Sequence, residues 1–124
     1  MAEKLKILIA EDEEVARQML QIAFRDGEQF ETRLSSDGEE ALAAFKAWQP
    51  DIVLLDIVMP HMNGFTALQT IRKTLKDTAT TVIMVSSVTD KQDIVACVKL
   101  GIQGYVLKPF EVKTLAATVV GYHQ

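Results

Sequence analysis

Five short apolar runs recur along the chain, separated by longer stretches in which apolar residues return every three or four positions. Ile52-Val53-Leu54-Leu55 and Val82-Ile83-Met84-Val85 are nearly unbroken, the pattern of strands covered on both faces in a parallel sheet. Leu5 to Ala10 reads as a further strand, and Tyr105-Val106-Leu107 after Gly104 as a short one. Phe30 to Leu34 alternates between apolar and polar, which predicts a half-exposed edge strand. Between these runs the period is helical: Val15, Met19, Ile22; Leu42, Phe45, Trp48; Leu68, Ile71, Leu75; Ile94, Val98, Gly101; Val112, Leu115, Val119. Asp37-Gly-Glu-Glu40 is an aspartate version of a capping box, Asp90-Lys-Gln-Asp93 a weaker one, and Gly101 suits a helix stop. Strand starts near 5, 30, 52, 81 and 104 leave room for one helix in each crossover. The expected fold is α/β: one doubly wound (βα)5 domain over residues 1–124, with a five-stranded parallel sheet and helices on both faces.

Composition narrows the class without naming a function. The chain has 124 residues, 48 % apolar and 24 % charged, an ordinary globular balance. The net charge of −4 is unevenly spread: residues 1–40 carry 11 acids and 5 bases, the remainder 6 acids and 8 bases. An acidic first third argues against direct nucleic-acid binding there. No apolar run reaches the ~18 residues of a membrane helix, and the N-terminus lacks a signal-peptide core. The single cysteine, Cys97, allows no internal disulfide and no cysteine zinc cluster, and reads as a core residue. The expectation is a soluble cytoplasmic domain with no membrane association.

In an open α/β sheet the working site lies beyond the carboxyl ends of the strands. Glu11 and Asp12 follow the first apolar run, Asp56 the third, Ser86 and Ser87 the fourth, Lys108 and Pro109 the fifth. Three carboxylates, hydroxyls and one ammonium therefore converge on one rim. Like charges ~4 Å apart repel by roughly 4 kcal/mol at an effective dielectric of 20. A divalent cation would relieve this, and an all-oxygen donor set favours Mg²⁺. A carboxylate beside Mg²⁺ is a competent nucleophile toward phosphorus, with the lysine and hydroxyl placed to bind the new phosphoryl oxygens. Acids after a strand are also ordinary helix-start residues, and Glu13 and Glu14 read as no more than that. Asp56 is different, because a loop from Ile57 to Gly64 follows it instead of a helix. His61 and His123 lack ligand spacing, and no nucleotide-binding glycine loop is present.

These segments resemble the receiver domain of two-component response regulators. Ile7-Leu-Ile-Ala-Glu11-Asp12 is similar to the family's acidic pair, and Asp51-Ile-Val-Leu-Leu-Asp56-Ile-Val-Met-Pro60 with Asn63-Gly64 to its phosphorylation strand and loop. Ser86 falls on its hydroxyl position, and Gly101-Ile-Gln-Gly-Tyr105-Val-Leu-Lys108-Pro109-Phe110 on its lysine segment. The resemblance implies a flavodoxin-like strand order of 2-1-3-4-5, which is the handed-down order of chemotaxis receivers. It implies that Asp56 accepts a phosphoryl group from a histidine kinase or a histidine phosphotransfer protein. Asp12, Asp56 and the Val58 carbonyl would bind Mg²⁺, with Glu11 supporting the metal from behind. Ser86 and Lys108 would hold the phosphoryl group, Tyr105 would change rotamer with Ser86, and Lys108–Pro109 would be cis.

The departures are small. Glu11 stands where aspartate is commoner and Ser86 where threonine is, while Ser87 keeps the small side chain that access to Asp56 needs. In the family that the chain resembles, the positions of Val58 and Val88 influence water's approach to the acyl phosphate, and neither valine can orient water, so the resemblance implies slow self-dephosphorylation. The resemblance implies a switch in the helix 4–strand 5–helix 5 face that controls a partner or an output domain, in a protein that turns over no separate substrate. The last helix carries only Lys113 as a base and lacks the charged dimer face of many DNA-binding regulators. Two alternatives are a Mg²⁺-dependent phosphohydrolase with an aspartyl nucleophile, and a pseudo-receiver serving only as an interaction module. A stand-alone regulator and a receiver cut from a longer chain both fit.

Overall fold

The computed structural model describes residues 3–124. Five strands, β1 (Leu5–Ala10), β2 (Phe30–Ser35), β3 (Ile52–Leu55), β4 (Thr81–Ser86) and β5 (Gly104–Leu107), alternate with five helices. These are α1 (Glu14–Ala23), α2 (Gly38–Trp48), α3 (Gly64–Gln69), α4 (Lys91–Leu100) and α5 (Val112–His123). All strand pairs are parallel, in the order β2-β1-β3-β4-β5, as the resemblance implies. The alternating strand β2 is at an edge and leaves Leu34 exposed.

The unbroken apolar runs feed two cores. Successive strand side chains point to opposite faces, so Leu8, Val53, Leu55, Val82 and Met84 pack against Leu42, Phe45 and Trp48 of α2, Leu68 of α3 and Cys97 of α4. Ile7, Ile9, Ile52, Leu54, Ile83 and Val85 face the other way, onto Leu20 and Phe24 near α1 and Leu115 and Val119 of α5. A strand polar on one face could not serve both layers.

Local details differ from the sequence pattern in three places. The Val15–Met19–Ile22 stripe of α1 turns outward, with Val15 68 % and Ile22 51 % exposed, while Leu20 and Phe24 enter the core. The helix after Gly64 continues from α3 into a π-helical turn over Thr70–Thr74. At α2, Asp37 caps the Glu40 N–H at 2.8 Å, but Glu40 reaches back to Ser36 rather than to Asp37.

The π-turn carries a buried arginine. Arg72 Nε donates to the Gly101 carbonyl at 2.9 Å, Nη1 to that of Asp77 at 3.0 Å, and Nη2 to that of Thr80 at 2.8 Å and to Gln103 Oε1 at 3.2 Å. Asp77 lies 3.6 Å from the guanidinium. Burial lowers the arginine's pKa and the Asp77 charge opposes that. This one side chain ties α3 to the end of α4 and to the start of β4 and β5.

Candidate acidic site at the strand ends

The sheet's hydrogen-bond ladder runs on into the site and fixes its backbone. Glu11 N–H donates to the Ser35 carbonyl, Asp56 N–H to that of Ala10, and Lys108 N–H to that of Ser86, at 3.0, 3.1 and 3.0 Å. Side chains from three strand ends therefore meet. Glu11, Asp12 and Asp56 each present a carboxylate oxygen, all within 4.8 Å of one another. Asp56 is 6 % exposed and Glu11 1 %, whereas Asp12 opens to solvent.

One ammonium serves this cluster. Lys108 Nζ lies 2.6 Å from Glu11 Oε1, 2.7 Å from Asp56 Oδ2 and 3.3 Å from Glu13 Oε1. Burial pushes the Glu11 carboxyl up to about 7, and the Asp56 charge adds to this, against the pull of Lys108 and the Glu13 N–H. For Lys108, burial favours the neutral amine, but its bonds to Asp56 and Glu11 outweigh that and raise its pKa above the ordinary lysine value. Glu11 Oε1 is buried and, beside its ion pair with Lys108, makes no well-directed hydrogen bond, so this oxygen is under-satisfied.

Around the cluster, Asp56 Oδ1 accepts from the Val58 N–H at 3.3 Å, and Val58 itself is 62 % exposed. Ser86 is fully buried, and its Oγ accepts from the Val88 N–H at 3.2 Å. Tyr105 OH donates to the Val88 carbonyl at 2.7 Å. Burial raises the Tyr105 pKa against a hydrogen bond from Ser86, so the phenol stays a donor. Ser86, Val88 and Tyr105 thereby form one connected unit at the start of the β4–α4 loop. Ser87 is exposed beside them, and the Lys108–Pro109 peptide is cis.

The loop after Asp56 depends on a glycine. Gly64 N–H donates to the Ile57 carbonyl at 2.9 Å, and a Cβ on Gly64 would collide with the Asp56 carbonyl oxygen. Asn63 caps α3 through the Thr66 N–H at 2.8 Å. Asn63-Gly64 therefore folds the loop back tightly on the aspartate's own backbone.

Two participants escape a reading of sequence. Glu13 stands at the start of α1 without making a capping hydrogen bond, and contacts Lys108 instead. Reading it as a plain helix-start acid is corrected by that contact. Arg17 Nη1 donates to the carbonyls of Glu11 and Asp12 at 3.2 and 3.3 Å, bracing the acidic turn. The spacing of Arg17 one turn into α1 is the available signal for it.

Comparison with known proteins agrees with this geometry. The response regulator receiver domain family matches residues 7–120, and the chain belongs to that family. It is 38 % identical over 114 residues to the DNA-binding response regulator MtrA of Mycolicibacterium smegmatis, covering 92 % of this chain and 48 % of that protein. It is 39 % identical over 125 residues to the probable transcriptional regulator ycf27 of Guillardia theta, covering 94 % and 44 %. The chain thus spans about half the length of these curated relatives. Among solved structures, chemotaxis protein CheY4 of Vibrio cholerae superposes with a TM-score of 0.87 at 28 % identity, covering 97 % of this chain and 99 % of that one. The receiver domain of the Francisella response regulator 1452 gives 0.84 at 27 % identity, covering 97 % of each. No helix among the described residues is long and apolar enough to cross a membrane.

Proposed function

We propose that residues 1–124 act as a phosphorylation switch in which Asp56 accepts a phosphoryl group from the phosphohistidine of a kinase or phosphotransfer protein. The observation carrying this is the Asp56 carboxylate: nearly buried, at a strand end, 2.7 Å from Lys108 and grouped with two further acids. An Asp56 oxygen forms the new bond to phosphorus as the donor's P–N bond breaks. The electron pair leaves with the imidazole, which is protonated from solvent. Lys108 and the Ser86 hydroxyl then bind phosphoryl oxygens.

The donor set fits a hard divalent cation, because it is all oxygen, carries excess negative charge and leaves the buried Glu11 Oε1 under-satisfied. Asp12, Asp56 and the Val58 carbonyl would hold Mg²⁺, with Glu11 behind them. When bound, the ion neutralises charge on the transferring phosphoryl group.

Drawing Ser86 toward the phosphoryl group breaks its bond from the Val88 N–H and disturbs the Tyr105–Val88 contact. The β4–α4 loop and α4 respond, and a partner or output domain senses the change. Val95, Val98, Leu107 and Tyr122 are exposed apolar residues on α4, β5 and α5, available to such a reader. The domain catalyses only its own phosphorylation and hydrolysis. A phosphohydrolase would want a second acid near Asp56, and Val58 occupies the exposed position two residues on.

The test is incubation of wild type and Asp56→Asn with acetyl phosphate, with and without Mg²⁺, followed by intact mass. Labelling confined to wild type with Mg²⁺ is the expected result. Equal labelling of both, or labelling indifferent to Mg²⁺, overturns the reading.

A further inference from the structure

Lys108 has three N–H donors, and three carboxylates surround it: Glu11 at 2.6 Å, Asp56 at 2.7 Å and Glu13 at 3.3 Å. Asp56 and Glu13 take hydrogen bonds from it and the close Glu11 carboxylate crowds its remaining side, so an incoming phosphoryl group must displace one of the three. The three are not equivalent. Glu11 is buried, and withdrawing the ammonium would strand its carboxyl away from water. Asp56 is the acceptor itself. Glu13 has its side chain 67 % exposed and returns to water at little cost. It also lines, with Lys108, Ser87, Val15 and Met19, a groove of about 430 Å³ between α1 and the segment after β5. Glu13 therefore stands at an open approach to Lys108.

We infer that Glu13 is a positioning and specificity-determining residue: it occupies Lys108 until the phosphoryl group displaces it, and its charge selects against free dianionic phosphodonors. The inference rests on Asp56 being the acceptor. With acetyl phosphate, an Asp56 oxygen bonds to phosphorus while the P–O bond to acetate breaks and acetate leaves with the electron pair. With phosphoramidate, the P–N bond breaks and ammonia leaves. Acetyl phosphate arrives as a dianion, whereas phosphoramidate carries one net negative charge near neutral pH. A carboxylate at the mouth therefore opposes the first donor more than the second.

The experiment compares wild type with Glu13→Gln at fixed saturating Mg²⁺, with both donors, by initial labelling rate. Gln keeps the shape and one hydrogen-bond acceptor, exchanges the other oxygen for an NH₂ donor, and removes the charge. At about 0.02 M ionic strength, Glu13→Gln should accelerate labelling by acetyl phosphate about three- to tenfold, as expected for one unit charge several ångströms from the reacting group. Phosphoramidate, with half the charge, should gain only about the square root of that factor, roughly two- to threefold, and raising ionic strength to about 0.5 M should close the gap. A role confined to helix capping would alter thermal stability but leave the ratio of rates between donors untouched. Equal acceleration with both donors, no acceleration, or a difference insensitive to salt overturns the inference and leaves Asp56 as acceptor intact. Labelling that persists in Asp56→Asn overturns the acceptor reading first, and this inference with it.

Discussion

Arg72 is buried and Lys108 largely withdrawn from solvent, and the two cations are held in opposite ways. Arg72 spends its donors on the carbonyls of Gly101, Asp77 and Thr80 and the side-chain oxygen of Gln103. Those partners are mostly neutral backbone groups fixed by the fold. Lys108 instead sits among carboxylates that outnumber it. Its partners repel each other, and a metal ion or a phosphoryl group can take its place or theirs. A fork of fixed donors on neutral acceptors makes a structural joint. A single ammonium among surplus anions makes an exchangeable contact. The first holds the end of α4 still, and the second sits where the proposed chemistry needs movement.

The largest expected effect breaks the joint. Arg72→Met should cost about 3–5 kcal/mol in urea denaturation, because a buried guanidinium that joins three segments loses all its hydrogen bonds together. Mg²⁺ should not restore it. Lys108→Met should also destabilise the metal-free protein, but Mg²⁺ should recover much of that loss, while labelling by acetyl phosphate falls at least tenfold. Equal costs and equal indifference to Mg²⁺ would erase the contrast between the two cations.

Gly64→Ala should follow, at about 2–4 kcal/mol, since the new methyl must displace the Asp56 backbone. Labelling should slow beyond what the stability loss explains, as the acceptor shifts. Ordinary labelling in a folded Gly64→Ala protein would show that the tight loop does not aim Asp56.

Glu11 gives a pH signature of about 3 kcal/mol. Its carboxyl titrates at 4.5 when unfolded and near 7 when folded. Between those values the folded state holds a proton that the unfolded chain releases, so stability falls as pH rises through the window. In chelator-treated protein, Glu11→Gln should flatten this decline and raise the melting temperature at pH 8. The opposite slope would mean that Lys108 outweighs burial at this carboxyl.

The smallest effect concerns the acyl phosphate's lifetime. Val58→Asn offers a group able to orient water, and should speed decay of phosphorylated protein a few-fold, read by loss of label after donor removal. An unchanged decay rate would place control of water elsewhere in the site.

Much of this was legible because strands and their ends carry strong local marks. The unbroken runs at Ile52–Leu55 and Val82–Val85 reported burial on both faces, and the two cores take alternate residues from them. Glu11, Asp12, Asp56, Ser86 and Lys108 stood out because each follows such a run. Glu13 did not, because a helix-start acid and a site acid look alike locally. What distinguishes it is a lysine 95 residues away. Arg72 was invisible for a related reason: most of its partners are main-chain carbonyls, which no residue type announces. Periodicity located α1 but not the direction of its apolar stripe, since a period defines a face and only tertiary packing decides what that face meets.

The central claim is that the phosphoryl group goes to Asp56 and nowhere else. Borohydride converts an aspartyl phosphate to homoserine, and peptide mass then locates the altered residue. After treatment with acetyl phosphate and Mg²⁺, the account predicts homoserine at position 56 alone, absent when Mg²⁺ is chelated. Conversion at Asp12 or another acid, or none at position 56 in protein that carries the label, would contradict it.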